Sequence, residues 1–554
     1  MIKKLDPYRR WLVAAVFALL LVIGLFAVQG RPLAGDERME NITLSSNIKA
    51  YYQLAGAELP ASLEEIPDIA EWVDRDYGQA RSYLAWPVMQ LSDSAVWQQG
   101  VYHFHIYLSF LLGLFALYAL VRRLTGRWTW GLVAVGLLYL NPRFFGEAFF
   151  NNKDIMLLAL CLVVFWLGLR FIERVDWASC VWFGIAGAFA ANSRMIGLEA
   201  WGLVGVLYLL WLTVKRKWNR RAFLRGVLAV AVFLAVFVVI TPSCWADFFG
   251  YWQYYLGATS NFDAERWNNW VLYRGAVYNP VENPVPWHYI PWFMVITTPL
   301  LVLALAALWP VLTLLHCKKQ PRGSRCTLEL AFCVMLVVFD ALPLLYAMVR
   351  RPNLYNGWRH FYFLYGTIVV LAVLSAAMLW NSRARWLRPA VGAALALNLV
   401  YYGGFIARWC PHEYAYFNFL AGAHPEERYD ADYWNMGAQD AILAAMKTGG
   451  PDTRVTDIRP RPVIRGYWYP ARDTWPELFG EKAEEVTWDR RWRAQYVLGN
   501  TSYWTIEQLH NDWGEDAEAM AVWTEQLRTA PVAAEIRCGR TVLWRIYENP
   551  QYKA

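Results

Sequence analysis

Between residues 11 and 405 the chain returns repeatedly to apolar runs of roughly 15–25 residues, the length that carries a helix across a bilayer core. No other feature narrows the fold so far. Eleven spans are expected, at Trp11–Val28, Tyr102–Val121, Trp128–Leu140, Ile155–Phe171, Ala178–Ala191, Leu198–Val214, Val227–Ile240, Ile290–Leu315, Leu328–Met348, Phe361–Trp380 and Pro389–Phe405. The third and fifth are short, as kinked or partly re-entrant helices would be. Composition agrees: 57% hydrophobic residues exceed the ~45–50% of a soluble domain. The 32 Trp and 32 Tyr suit a protein with many lipid–water boundaries. The first run follows a basic start, like a signal peptide. It is too long for a typical h-region and has no clean small-x-small cleavage site, so it reads as a retained span.

Basic residues orient the spans. The segments "KKLDPYRR", "RRLTGR", "RFIER", "KRKWNRR", "KKQPRGSR" and "RARWLR" fall between alternate pairs of runs and hold few acids, so they are expected in the cytoplasm. The N-terminus is then cytoplasmic, and the protein sits as a multi-pass chain in the inner (plasma) membrane. The opposite side receives the loop from Asp36 to Gln99, "NPRFFGEAFFNNKD", the Ser243–His288 loop, "RRPNLYNGWRH" and everything after Arg408. The chain therefore divides into a membrane module over 1–408, including a first outer loop at 29–101, and an extracytoplasmic region over 409–554. In the latter "YWNMGAQDAILAAMK" has helical periodicity, and "TRVTDI", "AQYVLGN" and "TVLWRIYE" read as strands. The fold expected is a polytopic all-α membrane protein with a small C-terminal α/β domain. The net charge of +7 is accounted for by the basic inner loops, and no nucleic-acid partner is expected. Eight Cys without paired spacing argue against a zinc site or a disulfide framework. No Gly-rich phosphate loop, His-Glu-x-x-His or Gly-x-Ser-x-Gly pattern is present.

The unusual polar residues near span ends collect on the outer side: Asp36 and Glu37 in "GDERME", Glu147, Lys153 and Asp154 in "NNKDI", Arg194 in "ANSRMIG", and Arg359 and His360 in "YNGWRHFYF", with Tyr355 beside them. Ionisable groups at such depth face a cavity, a partner or the interface. Each also has a plain alternative. Asp36–Glu37 suits a solvated turn, and "NNKDI" suits a helix cap with a snorkelling lysine. Arg359 and His360 at a helix start are harder to explain, because the helix dipole disfavours cations there and an anion would relieve that cost. Convergence on one leaflet points to an anion that itself belongs at the interface, such as a lipid phosphate.

These residues give the sequence its likeness to a known family. "GDERM" after the first span, "NPRFFGEAFFNNKDI" before the fourth, "NPVPWHYIPWFMVITTPL", "YNGWRHFYF", and "CPHEYAYFNFLAG" followed by "YDADYWNMG" resemble, in order and sidedness, the GT-C membrane glycosyltransferases that use polyprenyl-phosphate sugars. That group contains the protein O-mannosyltransferases and the aminoarabinose transferase of lipid A. The resemblance implies an inverting transfer from a polyprenyl-phosphate-linked sugar to an extracytoplasmic protein, lipid or glycan. Asp36 would be the catalytic base, with Glu37 beside it. Lys153, Arg194, Arg359 and His360 are candidates for the donor phosphate, and Asp154, Glu147 and Tyr355 form an additional polar set. The resemblance also implies amphipathic helices on the membrane in the first outer loop, for which "ELPASLEEIPDIAEWVDRDYGQARSYLAW" is the candidate, with Ile66, Ile69, Trp72 and Val73 on one face. No cofactor is required. A divalent metal is compatible with the superfamily, and Asp36, Glu37 and Asp154 would be its ligands. The alternative is a transporter or flippase of lipid-linked saccharides, for which Asp340 is the main intramembrane carboxylate.

Overall fold

A computed structural model describes residues 6–260, 271–279, 281–319, 321, 327–450, 453–457, 486–488, 493–501, 522, 525–527 and 529–552. Among the described residues the membrane part is helical apart from one short hairpin. Its long elements are α1 (Arg9–Ala27), α2 (Glu37–Ala55), α3 (Ala95–Thr125), α4 (Trp128–Tyr139), α5 (Pro142–Glu147), α6 (Asp154–Glu173), α7 (Trp177–Ser193), α8 (Met195–Val214), α9 (Arg220–Ile240), α10 (Phe248–Ser260), α11 (Tyr289–Thr297), α12 (Leu300–Lys318), α13 (Leu328–Arg350), α14 (Phe363–Trp380) and α15 (Leu387–Trp409). Among the described residues nine helices are long and apolar enough to cross a membrane. Helices also stand at the two short positions, as α4 with 12 residues and α7 with 17.

One expected span is divided. α11 ends at Thr297, Thr298 is extended, and α12 starts after Pro299, because a residue before proline is pushed out of the helical region. The first outer loop also differs from expectation. Its one long helix is α2, whereas residues 58–91 form only the short helices Ala61–Glu64 and Trp86–Met89 and a 3-10 turn at Ala80–Ser82. Ile69 is buried, Trp72 donates to the Thr43 hydroxyl at 2.9 Å, and Val73 is exposed. These side chains therefore do not share one face. Prolines 60 and 67 punctuate a stretch whose spacing resembles a helix. The basic segment Lys318–Arg325 falls largely outside the described residues.

Packing ranks the helices. α6 and α14 are the interior pair, each with 72% of its apolar window buried, whereas α1 is 11% buried and α9, α12 and α15 are 22% buried. α6 packs against α3, α7, α8 and α14. Since α6 begins at Asp154 and α14 follows the turn Arg359–Phe361, these two polar starts meet near the centre of one end of the bundle.

After α15 the chain runs through short 3-10 turns to helix α16 (Ala438–Gly449) and a five-stranded sheet. The strands are β3 (Thr453–Asp457), β4 (Val486–Trp488), β5 (Tyr496–Asn500), β6 (Val532–Cys538) and β7 (Thr541–Glu548), in the order β4-β3-β5-β7-β6. β3 is parallel to β4 and β5, while β7 is antiparallel to β5 and β6. A separate hairpin pairs β1 (Val271–Tyr273) with β2 (Ala276–Tyr278). The buried Asp432 ties the sheet to the turns that follow α15: it accepts from Trp544 of β7 at 2.8 Å and from Tyr414 at 2.6 Å.

Candidate active site

Asp36 stands at the N-cap of α2, and Glu37 is the first residue of that helix. Their adjacency sends the two carboxylates to different places. Glu37 is 2% exposed; its Oε1 accepts from the Ala34 amide at 2.8 Å and lies 2.8 Å from His103 Nε2 on α3. The side chain of Asp36 is 36% exposed, and its Oδ2 lies 3.2 Å from Arg359 Nη1. Only Asp36 is open to a substrate. Burial pushes its carboxyl up, but the positive charges of Arg359, Lys153 and Arg194 outweigh that and hold it below its ordinary value.

The cations come from three elements. Arg359 is buried just before α14, caged by the rings of Tyr355, Tyr433 and Trp434 at 4.5, 4.4 and 4.5 Å, and its Nη2 donates to the Tyr433 hydroxyl at 2.6 Å. Burial works against its charge, but Tyr433 and Asp36 raise its affinity for the proton further. Such a cage fixes the guanidinium and, through it, Asp36. Arg194 is the single residue between α7 and α8, so its side chain projects from the helix–helix corner. It pairs with Asp154, the first residue of α6, at 3.1 Å. Lys153 precedes α6 and pairs with Glu40, one turn along α2 from Asp36. Burial lowers the Lys153 ammonium to about 8, with Asp36 opposing and Arg194 and Arg359 adding to the shift. The Nε atoms of Arg194 and Arg359 are buried without a hydrogen-bond partner among the described residues, leaving donors unused by the protein.

Tyr77 lies between two of these cations, its ring 4.4 Å from Lys153 Nζ and 5.3 Å from Arg194 Cζ. Gly78 makes this placement feasible. Its N–H donates to Asn192 O at 3.0 Å, and a Cβ there would fall 2.2 Å from that oxygen.

The expected residues divide accordingly. Asp36, Lys153, Asp154, Arg194, Tyr355 and Arg359 converge. His360 faces them electrostatically, but burial and the charges of Arg194, Arg359 and Lys153 hold its imidazole well below its usual value, so it is neutral at neutral pH. Glu147 sits one layer behind: it accepts from Tyr362 at 2.6 Å and from Asn151 at 2.7 Å, and Asn151 in turn reaches Asp154 at 3.1 Å. Burial pushes Glu147 up to about 7. Glu37 points away. Among the described residues no group of three or more His, Cys, Asp or Glu is placed to hold a metal. Asp36 and Asp154 each face their own arginine. Glu40, Tyr77, Tyr433 and Trp434 belong to the site without having been expected. Glu40 had a signal, since i and i+4 share a helix face.

Residues 80–245 match the family model for dolichyl-phosphate-mannose-protein mannosyltransferases. The matched segment contains Lys153, Asp154 and Arg194, while Asp36 and Arg359 lie outside it. Among solved structures, ArnT from Cupriavidus metallidurans in the apo state is similar at 14% identity and a TM-score of 0.48, covering 98% of this chain and 99% of that one. The same enzyme bound to undecaprenyl phosphate matches at 15% identity and a TM-score of 0.42, with coverage of 98% and 99%. The apo oligosaccharyltransferase of Archaeoglobus fulgidus matches at 11% identity and a TM-score of 0.46, covering 92% of this chain and 71% of that one. No curated protein sequence matches significantly.

Proposed function

We propose that this chain transfers a sugar from a polyprenyl-phosphate-linked donor to an acceptor hydroxyl or amine on the outer face of the inner membrane, with inversion at the anomeric carbon. The observation that carries the reading is the division of labour within "GDERME". Asp36 is partly exposed amid three cations, while Glu37 is buried on His103. The matching family's description, which names a dolichyl-phosphate sugar, supports the donor class.

The acceptor oxygen or nitrogen attacks the anomeric carbon and loses its proton to Asp36, which is ionised at neutral pH. The bond from that carbon to the phosphate oxygen breaks, and its electron pair leaves on the polyprenyl phosphate. Lys153 and Arg194 meet the charge that grows there, where fixed donors stabilise the transition state most. Arg359, held by its aromatic cage, positions Asp36. One carboxylate suffices for a single displacement; a retaining route uses two, about 5–5.5 Å apart, and Glu37 is not available as the second. A phosphate leaving group needs no general acid, and the reading requires no metal. The arginine-rich ends of the spans face the cytoplasm, and the region after Arg408 faces outward.

The test is sugar release from radiolabelled polyprenyl-phosphate sugars in membranes carrying wild type, Asp36→Asn or Glu37→Gln, with donor binding followed in parallel. Asp36→Asn is expected to bind donor but lose about 10²–10⁴ in turnover, the worth of a positioned base. Glu37→Gln is expected to keep turning over. Equal activity of all three on a consumed donor would remove Asp36 from the chemistry. Donor crossing the bilayer intact would make the protein a flippase.

A further inference from the structure

At the end of the bundle opposite Asp36, residues of α1, α3 and α6 border a common space. α1 runs from Arg9 towards the linker bearing Asp36, and α6 runs from Asp154 to Glu173, so the same helices join the two ends. Between them lies a cavity of 1210 Å³. Seven arginines line it, from Arg9 on α1 through Arg122 on α3 to Arg170 and Arg174 at the end of α6, against two carboxylates, Asp6 and Glu173. Both carboxylates are engaged: Asp6 accepts from Trp128 Nε1 at 2.8 Å, and Glu173 pairs with Arg123 at 2.6 Å. Arg123 also reaches Glu329 at 3.0 Å. Among the described residues the other six arginines have no ion-pair partner.

Basic inner loops alone would explain arginines at this end. Two features go further. The charges come from separate elements and surround one space, and that space continues into an apolar wall. Phe17 of α1, Phe115 of α3 and Trp166 of α6 line it, with Phe17 and Phe115 ring centroids 5.8 Å apart and Phe115 and Trp166 5.6 Å apart. Phe17 is eight residues along α1 from Arg9, roughly 12 Å deeper at the helical rise. α1 is also the least buried of the nine long helices, so the cavity is bounded on that side by a helix that faces lipid. A ligand with a phosphate at one end and hydrocarbon at the other satisfies both zones.

We propose that this cavity binds an anionic phospholipid, its phosphate among Arg9, Arg122, Arg170 and Arg174 and its acyl chains along Phe17, Phe115 and Trp166. The site is separate from the proposed donor site and does not rest on the transferase reading.

Native mass spectrometry of the full-length protein in detergent tests it, using phosphatidylglycerol and phosphatidylcholine of identical acyl chains. Wild type is expected to retain phosphatidylglycerol roughly tenfold or more over phosphatidylcholine, as a few basic residues at a lipid phosphate provide. The preference should vanish in Arg122→Gln/Arg170→Gln and persist in Arg122→Lys/Arg170→Lys. It should also persist in Arg383→Gln/Arg385→Gln, which removes equal charge from another basic loop. Should the Gln pair fail to fold, Ala14→Trp fills the apolar wall with every arginine in place and must weaken phosphatidylglycerol binding. No preference in wild type, equal loss in both Gln pairs, or unchanged binding in Ala14→Trp overturns the proposal. Full displacement of the lipid by inorganic pyrophosphate would assign the arginines to a free polyphosphate and overturn it as well.

Discussion

Lys153 differs from Arg194 and Arg359 in that its charge is within reach of ordinary pH. It is held near 8, chiefly by burial, so it is an ammonium below that pH and a neutral amine above. If it meets the donor phosphate, donor affinity should be full below pH 8 and fall as pH rises through it. The effect belongs in kcat as well as in KM for the donor, because the same ammonium meets the charge that grows on the leaving phosphate. Lys153→Arg, whose charge persists beyond pH 12, should move that alkaline limb upward, and Lys153→Met should cost roughly 10–100-fold in kcat/KM, the worth of a charge-assisted hydrogen bond. A limb that stays near 8 in Lys153→Arg would assign it to another group. The acidic limb has a different origin. Asp36 is held below its usual value by Arg359, Lys153 and Arg194 against the effect of burial, so the base remains ionised at pH values where an ordinary carboxylate has begun to protonate.

At the scale of elements the spans were legible because lipid selects on a property that a short window of sequence contains, mean apolarity over some twenty residues. All eleven expected segments are helical, with the eighth divided at Pro299. The C-terminal strands at Thr453, Tyr496 and Thr541 were legible for a similar local reason, their runs of β-branched and aromatic residues. α2 was not. Its sequence "ERMENITLSSNIKAYYQLA" is polar overall, and the helix is fixed by burial of Leu44, Asn47 and Ile48 rather than by a continuous apolar run. The site was half legible. Charges at span ends could be read from the sequence, and so could Tyr355 beside Arg359, but the other two rings of the cage, Tyr433 and Trp434, lie 74 and 75 positions away, and no local pattern announces such a contact. Which of Asp36 and Glu37 is free depends on His103, from another helix. The turn around Tyr77 gives a test at this scale. Gly78→Ala places a methyl group 2.2 Å from Asn192 O, so either the turn or the end of α7 must shift, at about 1–3 kcal/mol for an overpacked contact. Tyr77 should then leave its place between Lys153 and Arg194. The expected result is a drop in kcat/KM for the donor larger than the change in thermal stability implies; unaltered kinetics would make Tyr77 incidental to the site.

Across the whole molecule, the parts that meet at the site are far apart in sequence, and a buried ion pair joins them. Arg31, in the linker from α1 to Asp36, contacts Glu413, just after α15, at 2.5 Å with both side chains fully buried. Arg31 also lies 4.1 Å over the Phe149 ring, and its Nη1 reaches the carbonyls of Gly146 and Pro411 at 3.4 Å. Four residues further on, the Gly35 amide donates to Trp434 O at 3.0 Å, so the same linker carries Asp36 to the cage that holds Arg359. The ion pair thus fixes the N-terminal half of the site against the C-terminal half. Burying two charges gains little over packing two apolar groups, but removing one partner strands the other and costs about 3–5 kcal/mol. Glu413→Gln should therefore lower the thermal midpoint sharply and reduce turnover at temperatures where the protein is still folded, because Asp36 loses its register with Tyr433 and Trp434. Arg31→Met/Glu413→Leu should recover most of the stability, since no charge is then left unpaired. Thermal unfolding and sugar release on the two variants separate the contributions. Recovered stability with turnover still lost would mean that the pair sets the geometry of the site beyond holding the fold together, whereas a Glu413→Gln protein that melts and turns over like wild type would show that the two halves are held by the aromatic contacts alone.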